Sequence, residues 1–154
     1  MITTTASRPF EKIYIDIVGP LTKSYNGNVF ILTLQDDLSK FSWEALMPNH
    51  EANTVAKFFM TQFVYLYGLP QNLIRDYGTE SLSKVFKEVC QLLKIKQTST
   101  SPYHPQSNGS LERSHRTLAE YLHSFVKKDP QNWEIHVPFA IFCHNSTTHI
   151  STKY

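Results

Sequence analysis

Apolar positions along the chain fall into two periods. Ile13-Tyr14-Ile15-Asp16-Ile17-Val18 is rich in β-branched and aromatic residues and is stopped by Gly19-Pro20, which predicts a strand. Asn26-Gly27 marks a turn, after which the apolar run Val29 to Leu34 predicts a second strand. The acidic turn Asp36-Asp37 with Ser39-Lys40 leads into a third strand, Phe41 to Leu46, so the three read as an antiparallel meander. The period then lengthens. From Glu51 to Tyr67, Val55, Phe59, Phe63 and Leu66 recur at helical spacing, and Gly68-Leu69-Pro70 ends the helix. A short strand at Asn72 to Arg75, a helix from Leu82 to Leu93 and a fifth strand at Ile95 to Thr98 follow. Thr98 to Ser110 is polar and aperiodic, and a loop that long inside a compact domain is usually functional. Leu111 to Lys127 and Trp133 to Asn145 read as two further helices, separated by Asp129-Pro130. The order β-β-β-α-β-α-β-α-α predicts an α/β domain: a five-stranded mixed sheet flanked by helices.

Composition changes this picture little but closes off some classes. At 154 residues the chain is the size of one domain, with Met1 to Ser7 as a threonine-rich tail and residues 8–154 as the folded unit. With 41% hydrophobic and 18% charged residues it has enough apolar material for a core, which excludes disorder. The longest apolar stretch, Phe58 to Tyr67, is broken by Thr61 and Gln62 and is too short to span a bilayer. A net charge of +2 permits a nucleic-acid partner without demanding one, so the case for DNA rests on where the charges sit. Cys90 and Cys143 form no CxxC and read as buried thiols of a reduced, intracellular protein. The glycosylation-type triplets at Asn108 and Asn145 read as chance matches.

Three carboxylates stand out against this background. Asp16 interrupts a strand, where aspartate is depleted and an unpaired buried carboxylate is expensive. Alternation puts it on the face of Tyr14 and Val18, away from the isoleucines. Asp76 follows a short strand and opens Asp-Tyr-Gly-Thr, which is also ordinary turn chemistry, but α/β folds hold ligands beyond the carboxyl ends of strands. Glu112 falls in the first turn of the helix after the long loop, where the helix dipole keeps a carboxylate ionised and Ser107 or Asn108 can cap the helix. Other charged residues have plainer readings. Asp36 and Asp37 belong to a strand turn, Glu80 to the surface, and Lys127 and Lys128 to a helix end. The seven histidines lack zinc-ligand spacing.

Combination and spacing carry more than any one residue. Thirty-five residues separate Asp76 from Glu112. The words Ile15-Asp-Ile-Val-Gly-Pro-Leu21, Arg75-Asp-Tyr-Gly-Thr-Glu80 and Ser101-Pro-Tyr-His-Pro-Gln-Ser-Asn-Gly-Ser-Leu-Glu-Arg113 resemble the integrase cores of gypsy-type LTR retrotransposons and retroviruses. The resemblance extends through Asp36 to Phe41 and from Asn132-Trp133 to Thr147.

That resemblance implies an RNase H-like fold in which Asp16, Asp76 and Glu112 are the catalytic, metal-holding residues. It implies two Mg²⁺ or Mn²⁺ ions per site, for which oxygen ligands are suited, since a pair of ions ~3.5–4 Å apart stabilises both the attacking and the leaving oxygen of an in-line phosphoryl displacement. The implied reaction has two steps: water trims the 3′ ends of the element's cDNA, and the exposed 3′-hydroxyls attack target DNA. Arg116, four residues after Glu112, would hold a phosphate of the cDNA end, Asn108 and Tyr103 would touch the same end, and Arg113 and His115 lie beside them. A homodimer or tetramer, assembled through the helix of residues 51–67 and the helix around Trp133, is implied as well. So is a nuclear pre-integration complex, with cytoplasmic particles earlier. Relatives commonly carry phenylalanine where this chain has Ser81, which removes packing near Asp76. The family's N-terminal zinc domain and C-terminal DNA-binding region are expected to lie outside this sequence. Two other readings remain: a transposase or nuclease of the same fold, against which the Tyr-His-Pro-Gln loop speaks, and a domesticated DNA-binding or oligomerisation module without catalysis.

Overall fold

The computed structural model describes residues 6–75, 80–99, 116, 119–120, 122–124 and 127–147. Five strands form one mixed sheet: β1 (Lys12–Val18), β2 (Phe30–Asp36), β3 (Ser42–Met47), β4 (Asn72–Arg75) and β5 (Lys96–Ser99), in the order β3-β2-β1-β4-β5. The first three pair antiparallel as the meander requires, whereas β4 adds to β1 in parallel and β5 adds to β4 in parallel. These parallel additions need crossovers, and the helical segments supply them. The strands lie within one or two residues of the expected positions.

Two helical expectations need correction. The helix expected over residues 51–67 is α1 (Ala52–Phe59), a π-helical turn (Met60–Val64) and a short α2 (Tyr65–Tyr67). A π turn inserts a residue and rotates everything after it. Val55, Phe59 and Phe63 are fully buried as expected, but Leu66 is 69% exposed. Tyr67, itself 41% exposed, borders the core instead, with its ring 5.3 Å from Phe63 and 4.7 Å from Phe10. The helix expected from Trp133 begins instead as a 3-10 helix (Pro130–His136) and becomes α-helical only at α4 (Val137–Ser146). Pro138 has no N–H to donate to the Glu134 carbonyl, and the Val137 N–H takes that carbonyl in a tighter turn. Helix α3 (Glu80–Leu93) starts two residues earlier than expected. Of the helix expected over 111–127, residues 116, 119–120 and 122–124 are described, and they are helical.

Each face of the sheet carries its own core. Ile13, Ile15 and Ile17 of β1 join Leu32 and Leu34 under Phe59, Phe63, Phe86 and Val89, on the α1 and α3 side. On the opposite face Ile31 packs with Leu122, Trp133, Val137 and Ala140, while Val18 and Leu46 border that cluster. Cys90 is buried as expected, and burial pushes its thiol up despite the opposing Arg75 charge; Cys143 is only half-buried, contrary to expectation. Asp36 is wholly buried as a turn residue: its carboxylate accepts from the Phe10 N–H at 2.8 Å, the Ser39 N–H at 2.9 Å and the Ser39 hydroxyl at 2.7 Å. No helix among the described residues is long and apolar enough to cross a membrane.

Candidate active site

Asp16 stands in the central strand, half-buried, on the face shared with Tyr14 and Val18. The Ile17 N–H donates to its Oδ1 at 2.8 Å, and the Thr33 hydroxyl donates to its carbonyl oxygen at 3.3 Å. Antiparallel register places Asp16 opposite Thr33, and Thr33 opposite Glu44. Because directly paired residues point to the same side of a sheet, Asp16, Thr33 and Glu44 form one cross-strand row.

On the other flank of β1 the parallel ladder runs Lys12 with Asn72, Ile13 with Leu73, Tyr14 with Ile74 and Ile15 with Arg75. The offset is constant through the last described pair, Ile15 with Arg75. Asp76 itself lies outside the described residues, as do Tyr103, Asn108, Glu112, Arg113 and His115, and the role expected for the Ser81 side chain lies outside them too. Arg116 is described, helical and exposed. Six residues further on, Leu122 is buried in the Ile31 and Trp133 cluster, which seats this helical segment on the face that carries Asp16. Among the described residues no group of three or more His, Cys, Asp or Glu is placed to hold a metal ion; the described part of the expected triad is Asp16 alone. Its oxygen-donor chemistry suits a hard divalent cation.

Glu44 and Glu134 were not singled out in the sequence. Glu44 sits in an alternating strand, where a glutamate ordinarily faces water, yet desolvation raises its carboxyl to about 7. Glu134 is buried on the 3-10 helix and accepts hydrogen bonds from the Ser24 hydroxyl and from the side-chain amides of Asn26 and Asn28, each at 2.6 Å. Burial pushes its carboxyl up, but those three donors outweigh burial and hold it below the usual range. The only hint of this clamp was the density of polar residues around the Asn26-Gly27 turn.

A single sheet with β1 to β3 antiparallel, β4 and β5 added in parallel and an aspartate at its centre defines the class: an RNase H-like α/β domain. Residues 6–105 match the family described as "Integrase core domain", and the chain belongs to that family. It is 37% identical over 99% of its length to "Retrovirus-related Pol polyprotein from transposon 412" of Drosophila melanogaster and 29% identical over 96% to the "Pro-Pol polyprotein" of feline foamy virus. It spans 12% of the length of each of those proteins. Among solved structures, the catalytic core domain of BIV integrase covers 85% of this chain and 80% of its own at a TM-score of 0.57 and 24% identity. The HTLV-2 integrase catalytic core domain, solved with magnesium in a trimeric form, covers 94% and 92% at a TM-score of 0.64 and 18% identity. These structural likenesses bear on the fold.

Proposed function

We propose that this core is a metal-dependent polynucleotidyl transferase that trims the 3′ ends of a retroelement's cDNA and joins them to target DNA, with Asp16, Asp76 and Glu112 holding two Mg²⁺ or Mn²⁺ ions. One observation carries the reading: half-buried Asp16 stands in the central strand one position beyond the last described β1–β4 pair, Ile15 with Arg75, and Arg75 is the residue that precedes Asp76 in the chain. Carboxylates held close together disfavour each other's ionised forms, and a bound divalent cation would remove that penalty. When bound, the ions supply Lewis-acid charge to the phosphodiester and lower the pKa of an attacking water.

In this reading the protein's own part is to position and to bind. Asp16 gains rigidity from pairing on both sides of β1, as the Thr33 hydroxyl and the Ile17 N–H anchor its backbone and side chain. Arg116, exposed on its helix, takes a backbone phosphate; Tyr103, Asn108, Arg113 and His115 contact the same cDNA end. Self-association into dimers or tetramers draws on the exposed apolar residues of α4, Phe139 and Phe142, and on Tyr65 and Leu66 of α2. The Trp133 ring, by contrast, is 1% exposed and belongs to the core. Integration of this kind places the protein in the nucleus.

The test combines turnover with metal binding. In a Mn²⁺-supported disintegration assay, Asp16→Asn and Asp76→Asn are each expected to lose activity by at least on the order of 10²-fold. Mg²⁺ at a hundred times its Kd is expected to stabilise the unsubstituted chain by about 2.7 kcal/mol, a rise in Tm of roughly 5–11 °C, and to leave Asp76→Asn unmoved. An equal response of the two proteins, together with no joining activity, would favour a non-catalytic module.

A further inference from the structure

Three residues beyond Asp16, roughly 10 Å of extended chain, β1 has given way to Gly19. A Cβ at Gly19 would lie 2.8 Å from the Phe30 ring, so the glycine leaves the room that this ring occupies. The His50 ring in turn stacks on Phe30, with centroids 4.5 Å apart and planes 10° from parallel. Register places the whole stack at one end of the sheet. Val18 pairs with Ile31 and Phe30 with Met47, and His50 follows three residues after Met47, just ahead of α1. This is also the end toward which β4 runs, its last residue Arg75 pairing with Ile15. Phe30 packs on the α1 and α3 core whereas Asp16 faces the other way, so the stack and the carboxylate flank that end from its two sides.

Core packing does not account for the outer ring of this stack. His50 is half-buried, flanked by exposed Pro48 and Glu51, and its ring nitrogens meet no hydrogen-bond partner among the described residues. An aliphatic side chain would cover Phe30 without the cost of drawing imidazole nitrogens out of water. We infer that the Phe30–His50 stack is a platform on which an unpaired base of the DNA comes to rest, steadying the strand whose phosphate is presented to Asp16. A base brings a flat π face to lie on the imidazole and polar edges to meet its nitrogens, and such stacking accepts any of the bases. Bases inside a duplex are already stacked on one another, so the platform selects a nucleotide that has left the helix. His50 is a positioning residue in this scheme and contributes no group to the chemistry. The inference rests on the reading of this core as one that acts on DNA ends.

The probe is a DNA duplex with a short single-stranded end that carries 2-aminopurine, a base whose fluorescence dims on stacking, at one position of that end at a time. Binding is measured without divalent metal, so that no turnover occurs. The unsubstituted chain is expected to quench one position and not its neighbours. His50→Ala is expected to lose that quenching and to bind about 5- to 150-fold more weakly, the range that removal of one base–aromatic stack produces, while melting within a few degrees of the parent. His50→Tyr should restore both properties and His50→Leu neither. An abasic nucleotide at the quenched position should weaken the parent to the level of His50→Ala and leave that variant unaffected. The platform is overturned by quenching at no position, by an equal loss in His50→Ala for intact and abasic probes, or by a His50→Leu that binds as tightly as the parent. Should His50→Ala fail to fold, the abasic probe and His50→Tyr decide the matter alone. Disintegration with Mn²⁺ separates the two readings. Turnover without position-specific quenching rejects the platform and keeps the transferase; His50-dependent quenching in a chain without turnover keeps the platform and rejects the transferase.

Discussion

Glu134 and Glu44 both belong to the side of the sheet that carries Asp16, and the protein treats them in opposite ways. Glu134 lies on the 3-10 helix beside Trp133 and is surrounded by donors from the β1–β2 connection: the Ser24 hydroxyl and the amides of Asn26 and Asn28. The same junction is pinned by the Trp133 ring N–H, which donates to the Thr22 carbonyl at 2.6 Å, and by the Tyr25 N–H, which donates to the Gln131 carbonyl at 3.1 Å. Glu44, at the edge of the sheet, is given apolar walls and an amide at the rim. One carboxyl is therefore held below its ordinary range and the other pushed up to about 7. Removal from water does not by itself fix the behaviour of an ionisable group; the donors that replace the water do. A carboxylate supplied with donors acts as a structural clamp, and one that meets mainly apolar walls is costly to ionise.

The clamp should give the largest response. Glu134→Ala strands three donors that were paired with a charged acceptor, for an expected loss of about 3 kcal/mol, or roughly 6–12 °C in Tm. Glu134→Gln keeps the shape and one acceptor oxygen, so it should lose less, and the gap between the two variants in a urea titration isolates the worth of the charge. The pH dependence has a definite sign. Because the folded carboxyl is held below its unfolded value, the stability it contributes is present above the ordinary glutamate range and is lost as pH falls through the folded value. The same connection can be disturbed from its other end. Gly19 has φ +135°, and an added Cβ would lie 2.7 Å from the Val29 carbonyl oxygen and 2.8 Å from the Phe30 ring. Gly19→Ala is expected to cost about 2 kcal/mol, or 4–8 °C in Tm, with the Glu134 hydrogen bonds left in place. Equal damage from Gly19→Ala and Glu134→Ala would mean that the loop's backbone, and not its carboxylate clamp, sets the stability of this region.

The contrast also marks what the chain's pattern could reveal. Asp16 was legible because it breaks a local rule: an aspartate in an Ile-rich strand stands out on alternation alone, and its face with Tyr14 and Val18 followed directly. The meander, the Asn72–Arg75 strand and the burial of Val55, Phe59 and Phe63 were legible because they rest on period, which is a local property. Glu134 was not, since its partners lie 106 to 110 residues away and no local signal pairs them. Glu44 was hidden for a related reason. Ser42 and Glu44 alternate with Trp43 and Ala45 as an outward face should, and the arrival of α4 beside β3, together with Phe58 of α1, dries that face. Asn145 is a third case: its side-chain amide pairs with both the N–H and the carbonyl of Ser42, at 2.8 and 2.9 Å, and so caps the β3 edge across a long span of sequence. The π turn at Met60–Val64 was equally invisible, because apolar spacing of four runs straight through it.

The smallest predicted effect is the most direct check on the desolvated carboxyl. Folding takes the Glu44 carboxyl from water into apolar walls, so its folded pKa, about 7, stands above the unfolded value near 4.5. Below the unfolded value the group is neutral in both states and costs nothing through ionisation; as pH rises from about 4.5 to about 7 the unfolded chain ionises first, and stability is lost across that window. Glu44→Gln keeps the size and polarity but cannot ionise. It should therefore match the parent at pH 4 and exceed it at pH 8, by no more than about 1 kcal/mol because a partly exposed charge is screened, or about 2–4 °C in Tm. Scanning calorimetry at the two pH values measures this, and the sign is opposite to that for Glu134→Gln, which should be the less stable protein at pH 8. If Glu44→Gln instead lowered Tm at pH 8, the carboxylate would have a favourable partner in the folded protein, and desolvation would not be what governs its ionisation.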